Sequence, residues 1–125
     1  MGQQQLLLII MGVIIVGIAV AVGVTMFGAQ SSTSNKDAVT ASLINITADA
    51  YHYKIRPSSM GGGSYAYTGY TIPSKMKADE NGAYAISSAV ATSCVITGTS
   101  TMNTAWVATC TVDDTGKTGM TYAGW

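Results

Sequence analysis

Hydrophobic and polar residues follow three different patterns along this chain. Residues 6–29 (LLLIIMGVIIVGIAVAVGVTMFGA) pass twenty-four positions without a charge, broken only by small residues and Thr25. At about 1.5 Å per residue a helix of that length reaches roughly 36 Å, enough to span a hydrocarbon core of about 30 Å. From Val39 the pattern changes. Val39, Leu43, Ile46, Ala50 and Tyr53 step by four, three, four and three, the stripe of an amphipathic helix. No helix breaker intervenes before Pro57, so the two patterns together predict one helix from near residue 3 to near Arg56. The Ser-rich residues 30–35 mark either a bend in it or a second start, with Ser34 or Asn35 as the cap. Lys54 and Arg56 suit its C-terminus, where cations complement the helix dipole.

Beyond Pro57 the helical period disappears. PSSMGGGS reads as a loop, and short β-like runs follow at residues 64–68 and 70–72, with Tyr65, Tyr67, Tyr70 and Ile72 as packing candidates. Asn81-Gly82 is a two-residue hairpin signal leading into a strand over 84–90. Residues 91–99 and 105–112 read as a hairpin with a short polar turn, residues 113–116 as another turn, and 120–125 as a final strand. The expected fold is therefore α+β. A long N-terminal helix (1–56), apolar in its first half and amphipathic in its second, packs on a small antiparallel β-sheet head domain (57–125) of four or five strands.

Composition sharpens this division. Every charged side chain lies at or beyond Lys36, and six basic residues balance six acidic ones, which leaves no electrostatic footprint for nucleic acid. Charged residues are 10% of the chain, against about a quarter in soluble domains. The n-region MGQQQ carries no Lys or Arg and the apolar run is too long for a secretory signal, so the segment is expected to be retained. Myristoylation at Gly2 is disfavoured because Leu6 stands where Ser or Thr is required.

The small residues of the apolar run are themselves patterned. At 100° per residue, Gly12, Ala19 and Gly23 fall at roughly 0°, 340° and 20°, while Gly17, Ala21 and Gly28 fall at roughly 140°, 180° and 160°. Two stripes on nearly opposite faces give each helix close-approach surfaces on both sides. That is the geometry of an open-ended, heterologous assembly.

Catalytic chemistry has no candidate constellation, and no cofactor or metal is expected. His52 stands without a Cys, Asp or Glu cluster, GGGSY lacks the Lys of a phosphate-binding loop, and Asp113 and Asp114 read as turn formers. Asn45-Ile46-Thr47 is a glycosylation sequon, but it falls inside the expected helix. Cys94 and Cys110 sit on the two arms of the expected hairpin. If Met102 centres its turn, they face one another directly, as do Ile96 and Ala108, and a disulfide follows.

An apolar helix continuing as an amphipathic one to about residue 56, then a glycine loop and a small sheet bearing Cys94 and Cys110, resembles a type IV pilin. The resemblance implies a structural protein, not an enzyme. Its helix would anchor the subunit in the inner membrane before assembly by a pilus machinery, and then pack in the core of an extracellular helical homopolymer, with the head outside. Adhesion, motility, DNA uptake and conduction all occur in that family. A leader ending in Gly2 would resemble a prepilin cleavage site. The acid that pilins usually carry near the start of the helix is Gln5 here, and no acid precedes Asp37. A secretion-system pseudopilin and a single-pass anchored extracytoplasmic binding domain fit the same outline.

Overall fold

The structure, a computed structural model, describes residues 2–125. One helix, α1 (Gly2–Ile55), is followed by a 3-10 turn (Ser58–Met60) and four strands, β1 (Gly82–Ala89), β2 (Cys94–Ser100), β3 (Val107–Val112) and β4 (Thr118–Ala123). The expected α+β class holds, and residues 30–35 continue the helix without a break. An apolar N-terminal helix whose later half packs on a small antiparallel sheet is a pilin-like architecture. The chain divides into two compact units within the helix itself, Met1–Thr33 and Ser34–Trp125.

In the second unit the strands form an antiparallel meander in the order β1-β2-β3-β4. Alternation decides which side is covered: Cys94, Ile96 and Ser100 of β2 and Ala108, Cys110 and Val112 of β3 are all buried, with outward neighbours between them. The helix meets that face with Val39, Leu43, Ile46 and Ala50, every one fully or almost fully buried. These are four of the five residues of the stripe expected from the 3–4 spacing; the fifth, Tyr53, is half-buried against the same core. Close approach needs small residues opposite: a Cβ on Gly98 would lie 3.0 Å from Val39 and 2.9 Å from the Tyr84 ring.

The same stripe carries a polar residue at each end, and both are buried. Asn35 donates its amide to the Asn81 carbonyl at 3.1 Å and accepts a hydrogen bond from the Ser100 hydroxyl. Lys54 donates to the carbonyl and the carboxylate of Asp114 and lies over the rings of Tyr51 and Tyr67. Buried polar groups persist only when paired, so these two clasps fix the helix against the sheet at both ends of the apolar contact.

Residues 64–72 differ from expectation. No strand forms there; the segment crosses the end of the core as irregular chain, burying Tyr67, Tyr70 and Ile72 while Tyr65 stays 77% exposed. Hydrogen bonds anchor it in place of a ladder. Tyr67 donates its hydroxyl to the Asp113 carbonyl at 2.7 Å, and Tyr70 to the Asp49 carboxylate at 2.8 Å. Ser64 and Tyr65 adopt positive φ (49° and 70°), which a strand cannot accommodate.

Candidate functional site: the uncovered helix and the head

In residues 2–33 the helix has no covering element within its own unit. Sixteen large apolar residues between Leu6 and Phe27 are exposed, from 52% at Met11 to 77% at Phe27. This stretch is long and apolar enough to cross a membrane, and none of the apolar window is buried within the chain. Thr25 does not spoil it, since its hydroxyl donates to the Ala21 carbonyl at 2.9 Å. A side chain satisfied by its own helix tolerates hydrocarbon around it.

Gly12, Gly17, Gly23 and Gly28 lie on this surface, and a Cβ built on any of them meets nothing within 4 Å. Ala19 and Ala21 are exposed beside them. Among the described residues, no neighbour requires these glycines to be small. Each glycine nevertheless costs a helix about 1 kcal/mol relative to alanine.

The head answers the remaining expectations. Cys94 and Cys110 are both buried and are free thiols, so the expected disulfide is corrected. Register is the reason. Asn103, not Met102, centres the β2–β3 connection: its side-chain oxygen accepts the Ala105 amide at 2.9 Å and its carbonyl the Trp106 amide at 3.0 Å. The longer turn moves the pairing by two residues, placing Cys94 opposite Val112 and Ile96 opposite Cys110. A two-residue change keeps both cysteines on the inward face but makes them diagonal neighbours, roughly 7–8 Å apart. That exceeds the usual Cα span of a disulfide. Burial pushes both thiols up, Cys94 to about 11.

Asp113 and Asp114 do not converge on a common point. The Asp113 carboxylate accepts from the hydroxyl and amide of Thr115 and the amide of Lys117, which holds it below the usual carboxylate range, while Asp114 turns to Lys54. His52 is exposed on the helix, and among the described residues no group of three or more His, Cys, Asp or Glu side chains gathers. Asn45 is exposed, whereas Thr47 of the same sequon is buried with its hydroxyl on the Ile44 carbonyl at 2.8 Å.

Three polar residues organise the head in roles other than those expected of them: Asn35 was a candidate helix cap, Lys54 a cation at the helix C-terminus, and Asp79 had no expected role. Asn35 has a legible signal, since it occupies the apolar stripe one step before Val39, and Lys54 stands one step beyond Ala50. Asp79 had none beyond its place before Asn81-Gly82. Its carboxylate accepts the amides of Asn81 and Gly82 and the hydroxyls of Ser42 and Tyr84. Partial burial works against the charge there, but those hydrogen bonds outweigh it and hold Asp79 below the usual range.

No protein-family model, curated protein or solved structure matches the chain.

Proposed function

We propose that this chain is the structural subunit of a type IV pilus-like filament on the cell surface, polymerising through its apolar N-terminal helix. The observation that carries the reading is the empty space around Gly12, Gly17, Gly23 and Gly28 on a stretch of helix whose large apolar residues, from Leu6 to Phe27, are all exposed. Solvation by lipid alone explains the apolar side chains. It does not explain glycines on two opposite faces, whereas neighbouring copies packed on both sides do. The same length and hydropathy would hold the subunit in the inner membrane before a pilus assembly machinery extracts it. The replacement of an acid by Gln5 is compatible with assembly by packing, since an unpaired buried carboxylate would be costly. No catalytic role or cofactor belongs to this reading.

Electron microscopy of material sheared from cells expressing the chain tests it. Long filaments that bind an antibody to the head are expected. Cells with the chain retained wholly in membranes and no such filaments would instead support a single-pass anchored binding domain.

A further inference from the structure

The two edges of the sheet are treated differently. At β1 the outward backbone groups are engaged: the Tyr84 amide donates to the Lys77 carbonyl at 2.7 Å, the Gly82 carbonyl accepts the Asp79 amide at 2.9 Å, and a register shift between Ile86 and Ser88 distorts the remainder. Bulges and covering loops are how proteins prevent an edge from templating another strand. At β4, among the described residues, nothing pairs with the outer edge. Its sequence, TGMTYA, contains no charge and no proline, the other common guards.

Which groups are free follows from the alternation of the ladder. The Asp113 amide donates to the Lys117 carbonyl at 3.0 Å, so Lys117, Gly119, Thr121 and Ala123 direct their backbone toward β3. The other side of β3 agrees, because the Ser100 amide donates to the Trp106 carbonyl and assigns the alternate residues of β3 to β2. Thr118, Met120 and Tyr122 therefore present unpaired N–H and C=O groups outward.

These three residues are symmetric about Met120. From this we infer that β4 pairs antiparallel with β4 of a second copy of this chain, across a two-fold axis at Met120, making one eight-stranded sheet. In this register Met120 faces Met120 and Thr118 faces Tyr122 of the second copy, and three hydrogen-bonded pairs exchange six N–H···O bonds. Shifting it by two residues either way loses a pair. Charge favours self-pairing, since an uncharged strand meets itself without like-charge opposition. Each pairing carries Tyr122 of the second copy to Thr118, on the rim of an open cleft of about 290 Å³ that the half-exposed Ile44 and Tyr51 also line. The contact uses none of residues 2–33 and does not depend on filament formation. A two-fold also reverses the head, so the pair joins copies from separate polar assemblies and not neighbours within one.

Gly119 and Thr121 of opposite copies form the non-hydrogen-bonded pairs of this seam, near enough to bridge. Both are exposed, and a Cβ at Gly119 meets open space. Full chains in detergent carrying Gly119→Cys and Thr121→Cys, with different tags, are mixed and mildly oxidised. The expected product is the 119–121 heterodimer at well above twice the yield of either homodimer, with the homodimers nearly absent. A heterodimer yield only about twice that of each homodimer overturns the proposal, because random collision through the apolar helices of equally mixed chains gives that ratio. In a second arm, chains carrying Gly119→Lys with Thr121→Lys lose self-association and regain pairing when mixed with chains carrying Gly119→Glu with Thr121→Glu. Undiminished association of the lysine chains also overturns it.

Discussion

Residues 6–27 and 34–55 belong to one helix and share one hydrogen-bonding pattern, yet they meet opposite surroundings. In the later half only one stripe is apolar, and the sheet covers it; Val39 and Leu43 have no exposed surface. In the earlier half the apolar residues run all round, and the large ones from Leu6 to Phe27 are all exposed. A helix apolar on one face completes itself against its own domain, while one apolar on every face requires an environment the chain does not supply. Glycine usage separates them too. Residues 6–29 hold Gly12, Gly17, Gly23 and Gly28, whereas residues 34–55 hold none and rely on glycine in the opposing strand, at Gly98. In the later half a small residue sits where the helix approaches the sheet; the proposed assembly would put the glycines of the first half to the same use.

The largest expected effect breaks the comparison on the uncovered side. Leucine at Gly12 or Gly23 on one stripe, or at Gly17 or Gly28 on the other, is expected to abolish filaments in sheared preparations, while the head melts unchanged by near-ultraviolet circular dichroism. Normal filaments from all four variants would remove the two-stripe argument.

Next in size is a matched pair of truncations. Leu43→Ala is expected to destabilise the head by about 2–5 kcal/mol, the range for deleting a buried leucine side chain. Ile15→Ala, one helix away in pattern but 62% exposed, is expected to leave head unfolding in denaturant unaltered. A similar loss from both would mean that the first half of the helix is covered by the head's own fold after all.

How much of this was legible beforehand depended on how local the determinant was. The helix, its buried stripe and the four strands follow from periodicity, which depends on near neighbours in sequence. The β2–β3 register did not, because it turns on Asn103 closing the connection with its own side chain, a choice of turn that periodicity leaves open. That single residue separates a cross-strand pair at Cys94 and Cys110 from a diagonal one. Tyr67 and Tyr70 were correctly expected to pack but were placed on strands. Apolar spacing identifies inward residues, while whether an irregular segment or a ladder carries them depends on distant acceptors such as the Asp113 carbonyl. The small-residue stripes were legible, being pure sequence geometry.

The two polar clasps differ in how a partner's loss is absorbed. Lys54 is 6% exposed at its side chain and Asp114 is 64% exposed. Removing the carboxylate by Asp114→Ala leaves the lysine its bond to the backbone carbonyl of the same residue and its two aromatic faces. A loss of about 1 kcal/mol is expected, within the range for hydrogen bonds to charged groups in partial contact with water. Asn35→Ala is expected to cost more, about 1–3 kcal/mol, because it leaves the buried Ser100 hydroxyl without its acceptor, while the Asn81 carbonyl keeps the Thr101 amide. Denaturant midpoints of the two variants give the order directly.

The smallest effect concerns Asp79, which ties the start of β1 to the helix through Ser42 and to Tyr84 within the sheet. Its carboxyl is held below the usual value near 3.9, so the folded head binds fewer protons there than the unfolded chain does. The stabilisation is therefore fully present above about pH 4 and is lost as pH falls through the lowered folded value. Asp79→Asn is expected to lower the melting temperature of the head modestly at pH 7 and to have little effect near pH 2, so that the two stability curves converge in acid. Parallel curves with a constant offset across that range would show that Asp79 acts by shape alone. The uncovered half of the helix has no charged group within residues 2–33, and filament yield is expected to be the same for both chains at pH 7.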